Sequence, residues 1–242
     1  MDVKISKDVA RKVLKVVDAG LVSGIGDPEL GKMCVEAAVC YAMGLPHGDN
    51  PPCVGSNVRV FKISLNDCRW SSDEARTKGM RKLAIAQLGS ADIDQEKFLE
   101  LVGFKCMTRV LPVIIENARE EDKNNKIAPK EEELLAVIEG LKSAKDFKEA
   151  KVAAQKARDI YSAYASAYVS AYAYASAYAS ASASAYAYAS ASAYAYASAS
   201  ASAYVLKNKL FSDKILNLTA EMGLEALVEL KSPGCEWLDL CE

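Results

Sequence analysis

Apolar residues recur at helical spacing along the first part of the chain. Val9, Val13 and Val17 are each four residues apart, so that a helix would place them on one face. Ser6 stands where this helix would begin, and a serine hydroxyl there can accept a hydrogen bond from a free N–H group of the first turn. The N-terminal segment therefore predicts an amphipathic helix, which Gly20 ends.

Three more segments before the middle of the chain have patterns that predict helices. Residues 32–44 contain little charge, which indicates a buried helix. The apolar residues of 56–67 fit both a strand and a helix face, and we favour the helix. Residues 70–90 begin with Ser71 and Ser72 and then with acids, which suit the N-terminus of a helix because its first N–H groups are free.

The pattern continues helically over residues 98–115, where Pro112 should kink or divide the helix because proline has no N–H group. Three later segments also have helical spacing and are followed by an irregular tail. The three helical segments are residues 129–144, 145–160 and 210–230, and the tail is residues 231–242.

The chain has no hairpin signal and no regular alternation of strands with helices, so the sequence predicts an all-α fold. The predicted organisation is a helical N-terminal domain, a linker with amphipathic helices, a long low-complexity helix and a C-terminal helix with its tail. The corresponding ranges are 1–122, 123–160, 161–206 and 207–242.

A low-complexity tract alternates alanine with serine or tyrosine. Alanine occupies every odd position from 163 to 203 except Val169. A period of two is typical of a strand, and stacked copies of such a strand would make a self-assembling fibre. Residues 160–207, however, contain no Gly, Pro, Asn or Asp that could turn the chain, and alanine is the best helix former.

We therefore predict that the tract is a helix, either one long rod or a helical hairpin, that packs on the domain or on another copy of the chain. Tyrosine rings supply large contact areas while their hydroxyl groups stay hydrated. Four tyrosines at the start of the tract form one local stripe and are the candidate interaction residues: Tyr161, Tyr164, Tyr168 and Tyr172.

Composition and charge exclude several classes of function. The formal net charge is −2, and no basic patch large enough for nucleic acid is present. The one basic helix face, residues 76–82, is predicted to be solvated. The N-terminus lacks the apolar core of a signal peptide, and no stretch is apolar enough to span a bilayer. Seven irregularly spaced cysteines then predict reduced thiols and a cytoplasmic protein.

Potentially reactive side chains concentrate in the segment MCVEAAVCYAMGLPHGDNPPCV, residues 33–54. Cys40, His47 and Cys53 could supply three ligands to a metal ion, although their spacing matches no tight zinc motif. Cys34 and Cys40 are six residues apart on a helix and so cannot readily share one ion. The interpretation we favour is that these cysteines are small buried apolar residues, with no bound cofactor.

The same segment allows a second chemistry, a cysteine nucleophile. Cys34 lies near the start of a predicted helix, where the helix dipole would lower the pKa of its thiol, and His47 could act as the base. No segment that could form an oxyanion hole is recognisable, and His47 is the only histidine. We favour a buried cysteine and a loop histidine, and hence a protein that is not an enzyme.

The segments MCVEAAVCYAMGLPHGDNPPCV, ISLNDCRWSSDEARTKGMRKLAIAQLGS and PGCEWLDL together resemble a group of uncharacterised bacterial and phage proteins that carry an alanine- and tyrosine-rich tract near the C-terminus. The resemblance covers about residues 1–118 and the tail, and the tract matches in composition only. It implies no activity and no catalytic residues. It implies that the tract is a characteristic feature and favours a phage or mobile-element setting.

These observations predict a cytoplasmic helical binding or scaffolding protein whose partner is itself or another protein, with no nucleic acid or membrane partner. Its recognition surface would lie around the loop of residues 44–56. The alternatives are a fibrous protein assembled through stacked strands of residues 161–206, and a cysteine–histidine metalloprotein or hydrolase.

Overall fold

The computed structural model describes residues 5–125, 131–162 and 209–242. Within these ranges the chain forms α-helices and contains no strand, so the all-α prediction is confirmed. The helices are α1 Lys7–Asp18, α2 Val35–Ala42, α3 Ser56–Asn66, α4 Asp73–Ala86, α5 Gln95–Lys105, α6 Leu111–Asn125, α7 Glu131–Ser143, α8 Phe147–Ser162 and α9 Lys209–Glu229. The other elements are a π-helical turn, Cys106–Val110, and two 3₁₀ segments, Ser90–Asp92 and Pro233–Cys241.

The side-chain caps explain where several helices begin. The Ser6 hydroxyl accepts a hydrogen bond from the Val9 N–H group at 3.4 Å, as the sequence predicted. Of the two serines before α4, Ser72 is the cap and accepts from the Ala75 N–H group at 3.1 Å. Ser71 instead donates its hydroxyl hydrogen to Asp213 of α9. The apolar pattern of residues 56–67 fitted both a strand and a helix, and the segment is helical, as we favoured, and forms α3.

Helix α4 lies at the centre of the packing and contacts α1, α9 and the C-terminal 3₁₀ segment. Its apolar residues Met80, Leu83 and Ala84 are buried. The stripe on α1 also faces the core, where Val13 and Val17 are fully buried. The amphipathic patterns seen in the sequence thus mark the faces that the helices bury against each other.

Pro112 changes the helix around it, as its chemistry requires. Residues Cys106–Val110 form a π-helical turn between α5 and α6, and the Leu111 N–H group bonds to the carbonyl oxygen of Cys106. A proline ring presses on the carbonyl group four residues earlier, here that of Thr108, and a π turn relieves this crowding by widening the helix. The predicted kink or division at Pro112 is therefore a local π-helical turn in an otherwise continuous helix.

The tail is ordered by its contacts and is not irregular, which corrects the prediction for residues 231–242. The Ser232 hydroxyl donates to the Ala86 carbonyl oxygen at 2.6 Å, and the Gly234 N–H group donates to that of Leu88 at 2.7 Å. A Cβ atom at Gly234 would lie 2.1 Å from the carbonyl oxygen of Ile85, so only glycine allows this approach. The tail thereby satisfies one carbonyl group at the end of α4 and one just after it.

The basic face of α4 is not uniformly solvated, which corrects a second prediction. Arg76 is only 6% exposed, and its Nε atom donates to the Asn66 carbonyl oxygen at 2.8 Å. Arg81 donates to the Asp18 carboxylate at 2.6 Å and to the Cys241 carbonyl oxygen at 2.7 Å. These cations join α4 to neighbouring segments, while Lys78 and Lys82 remain exposed.

Most of the alanine-rich tract lies outside the described residues, so the choice between helix and strand stays a prediction. Tyr161 and Ser162 are the last residues of α8, whereas Tyr164, Tyr168 and Tyr172 lie outside the described ranges. Among the helices that are described, none combines the length and the apolar character needed to cross a bilayer.

A substitution at Gly223 would test how α9 packs on Phe61. A Cβ atom there would lie 2.4 Å from Phe61 Cε1, and Phe61 is buried with its ring against Phe98 at 5.8 Å between centroids. Gly223→Ala should therefore lower the free energy of unfolding by about 1–3 kcal/mol through overpacking. Urea denaturation measures this change.

The matched control is Gly140→Ala in α7, where the nearest atom to the new Cβ would be Ala153 Cβ at 3.7 Å. This change should be neutral or raise stability by about 0.5–1 kcal/mol because alanine is the better helix former. Equal stability of the Gly223→Ala variant and the unmodified chain would contradict the packing of α9 on Phe61.

Candidate functional site

Cys34, the candidate nucleophile, caps α2. It is the N-cap residue, and its Sγ atom accepts a hydrogen bond from the Ala37 N–H group at 3.4 Å. Its side chain is buried, and burial raises the pKa of the thiol, although the nearby N–H groups of α2 act in the opposite direction. The expectation that the helix terminus would lower this pKa is therefore wrong, because desolvation outweighs the helix terminus.

His47 differs from Cys34 and Cys40 in its exposure, because both cysteines are buried. Its ring is exposed, and its Nε2 atom lies 3.0 Å from the carbonyl oxygen of Gly26. In the described part of the chain no hydrogen bond joins His47 to Cys34. The structure therefore shows a different hydrogen-bond partner for each member of the predicted nucleophile and base pair.

The three candidate metal ligands also have separate environments. Cys40 and Cys53 are buried, and the Cys53 thiol donates to Met43 Sδ at 3.5 Å, whereas His47 is exposed on the loop. Across the described ranges, no group of three or more His, Cys, Asp or Glu side chains is arranged to hold a metal ion. The interpretation of the cysteines as buried apolar residues fits these positions.

An ion pair that sequence reasoning missed lies beside these cysteines. Lys62 Nζ of α3 is 2.9 Å from Glu36 Oε1 of α2, and both side chains are fully buried. The second carboxylate oxygen, Glu36 Oε2, has no hydrogen-bond partner, and neither does the buried Nε atom of Arg59. The signal that could have found this pair is a lone acid in the nearly uncharged helix α2.

Burial dominates the electrostatics of this cluster. It raises the pKa of Glu36 and lowers the pKa of Lys62, and the attraction between the two charges only partly offsets the loss of hydration. The pKa of Cys40 is raised to about 11, first by burial and then by the charge of Glu36. Burial is also the main cause that raises the pKa of Cys53. Protonated thiols are poor nucleophiles and poor metal ligands at neutral pH.

The Glu36–Lys62 pair is enclosed, so its geometry fits a structural role. Neither side chain has exposed surface, and a substrate could reach them only if α2 and α3 separated. A buried pair of this kind adds little net stability, but it penalises every alternative packing in which one charge loses its partner. We infer that the pair helps to fix how α2 packs against α3.

A second candidate site is open to solvent and lies between α7 and α8. This cavity, the α7–α8 groove, has a volume of about 830 Å³. Its lining combines small and apolar residues with charged residues at the rim. The lining residues are Glu133, Ala136, Val137, Gly140, Asp146, Lys148, Glu149, Val152, Ala153, Lys156, Asp159 and Ile160.

Two features of the α7–α8 groove suit a helical ligand. Val152 is 53% exposed, which is high for an apolar side chain in a groove. Ala136, Gly140 and Ala153 have side chains of one carbon or none, so that another backbone could approach closely. Sequence reasoning identified α7 and α8 but not the groove, because the groove exists only after the two helices pair.

Removing one member of the buried ion pair should be costly. Lys62→Met leaves Glu36 buried without its cation, and we expect the free energy of unfolding to fall by about 3–5 kcal/mol. The double variant Glu36→Leu with Lys62→Met removes both charges and should lie within about 1–2 kcal/mol of the unmodified chain. Urea denaturation of the four proteins in this cycle measures the coupling, and additive losses would show that the two side chains are not paired.

The raised pKa of Cys40 predicts a loss of stability in alkali. The thiol ionises at about 11 in the folded chain, against an ordinary value of 9.0 that applies after unfolding. Its contribution is therefore complete below pH 9.0 and is lost as the pH rises toward 11. At pH 10 this contribution should have fallen by about 1 kcal/mol.

The variant Cys40→Ala isolates this contribution, because all other titrating groups are common to both proteins. Urea denaturation at pH 8, 9 and 10 with a reducing agent should show a steeper decline for the unmodified chain. Parallel curves for the two proteins would contradict the raised pKa of this thiol.

No protein-family model, curated protein or solved structure matches the chain. The function of this all-α protein is therefore inferred from its own residues, above all from the closed Glu36–Lys62 cluster and from the open α7–α8 groove.

Proposed function

We propose that the protein is a helical binding and scaffolding protein that self-associates, with the α7–α8 groove of one copy receiving the alanine-, serine- and tyrosine-rich tract of another. The observation that carries the proposal is the open groove of about 830 Å³ on the helix that leads directly into the tract. Ile160 lines the groove, and α8 ends at Ser162.

The composition of the tract complements the groove. No charged residue occurs between Asp159 and Lys207, so seating the tract on apolar surface would cost no desolvation of charge. Its alanines would allow close approach to Gly140 and Ala153, and its tyrosines would supply large contact areas. Helices with small residues at their contact can pack with short interaxial distances.

A second copy fits better than the tract of the same chain. For a chain to fill its own groove, the tract would have to reverse direction and return along α8. Residues 160–207 contain none of the Gly, Pro, Asn or Asp residues that favour a turn. A tract from another copy needs no such reversal, which favours a homo-oligomer.

Val152→Glu tests the groove without disturbing the core, because the Val152 side chain is 53% exposed. The variant places a charge in the apolar contact, and we expect the dissociation constant of self-association to rise at least about tenfold. Size-exclusion chromatography with light scattering over a range of protein concentrations measures the change.

Leu135→Glu is the matched control, since Leu135 is 44% exposed on α7 and does not line the groove. This variant should assemble like the unmodified chain. A chain that is monomeric at every concentration, or equal effects of the two variants, would overturn the proposal. Fibres with a cross-β diffraction pattern that form equally well with Val152→Glu would support the stacked-strand alternative instead.

A further inference from the structure

A second groove, formed by α1, α2 and the loop that joins them, differs from the first in its charge. This cavity, the α1–α2 groove, has a volume of about 470 Å³. It is lined by Lys12, Lys15, Val16, Leu30, Tyr41, Ala42, Met43 and Gly44. It adjoins the start of the loop of residues 44–56, where the sequence predicted a recognition surface, and contains no residue of the α7–α8 groove.

The walls of the α1–α2 groove expose large apolar side chains. Leu30 is 48% exposed and Tyr41 is 46% exposed, which places them among the most exposed large apolar residues of the described ranges. A Cβ atom at Gly44 would have no neighbour within 4 Å, so the groove is open at this end. Exposed apolar residues grouped in a concave surface are typical of a binding site for another molecule.

The charge of the α1–α2 groove is uncompensated. Lys12 and Lys15 are exposed, and neither has a hydrogen bond or an ion pair with any described residue. The other cations nearby are neutralised, since Arg11 bonds to Asp8 at 2.7 Å and Lys32 to Glu29 at 2.8 Å. The groove therefore presents two free positive charges beside apolar surface.

We propose that the α1–α2 groove binds an acidic peptide segment of another protein. An apolar side chain of the peptide lies between Leu30 and Tyr41, and its carboxylates pair with Lys12 and Lys15. The two lysines are three residues apart on α1 and thus lie on the same face, about 5–6 Å apart at Cβ. A peptide with acids on both sides of a short apolar anchor matches this arrangement.

A peptide fits this surface better than an anionic membrane does. A lipid surface binds protruding apolar residues flanked by cations, whereas Leu30 and Tyr41 line a cavity of about 470 Å³ that can enclose a side chain. Free lysines around a concave apolar site give a partner both attraction over distance and a fixed register.

The probe is a fluorescein-labelled peptide of sequence EELFEE, whose binding to the full chain is followed by fluorescence anisotropy. The unmodified chain should bind with a dissociation constant of about 10–100 μM that rises with salt. The double variant Lys12→Gln with Lys15→Gln should weaken binding at least about tenfold and flatten the salt dependence. Tyr41→Ser should weaken binding about tenfold without changing the salt dependence.

Two controls separate this site from general attraction between charges. Lys214→Gln removes an exposed lysine of α9 that also has no ion pair with a described residue, and it should leave binding unchanged. The peptide EESSEE keeps the charge but lacks the anchor and should bind at least about tenfold more weakly. Binding should persist in the Val152→Glu variant, because that residue lies in the α7–α8 groove.

Three results would each overturn the proposal. One is a failure of EELFEE to bind at millimolar concentration, and another is equal binding of EESSEE. The third is binding of phosphatidylserine vesicles, but not of the peptide, that is lost in the Lys12 and Lys15 double variant, since this would identify a lipid surface as the ligand.

Discussion

The core depends on a contact between segments that are far apart in sequence, namely α9 and the tail against α3 and α4. Gly223 leaves room for the Phe61 ring, and a Cβ atom at Gly79 would lie 2.3 Å from Trp70 Cη2. Asp213 accepts hydrogen bonds from Ser71, while Ser232 closes on the end of α4. Residues 209–242 therefore pack into the same core as residues 5–125. In the sequence, the tract lies between α8 and α9, and both of these helices pack against other described helices.

The packing of α9 and the tail on α3 and α4 explains why the fold can accept the alanine-rich tract between α8 and α9. Loop-closure entropy grows only slowly with length, so a long insertion between α8 and α9 costs the core little once both neighbouring helices are packed. The described helices form the core, and we propose that the tract serves contacts with another copy of the chain.

Charge is distributed according to two different physical requirements. Within the core, the pairing of Lys62 with Glu36 and of Arg76 with the Asn66 carbonyl oxygen satisfies groups that would otherwise be buried without partners. On the surface, Lys12 and Lys15 remain free beside apolar side chains, and this combination is suited to a ligand. Buried cations thus contribute to packing, whereas the exposed lysines are the residues to which we assign recognition.

The buried cluster around α2 and α3 also limits chemistry. Cys34, Cys40 and Cys53 are near Glu36 and Lys62, but burial keeps their thiols protonated at neutral pH. Cys40 is one of the small apolar side chains that the buried helix α2 packs, and Cys34 caps the start of that helix. These thiols do not support catalysis at the closed cluster, and our proposals therefore place binding at the two open grooves.

The sequence by itself determined the helices, because helical periodicity and capping are local properties that neighbouring residues decide. It also identified Ser6 as a cap and Cys34 and Cys40 as buried. Only the tertiary structure decided the pairing of Glu36 with Lys62, the burial of Arg76, the order of the tail and the two grooves. These features join residues that are far apart in the chain, and their positions depend on how whole helices pack.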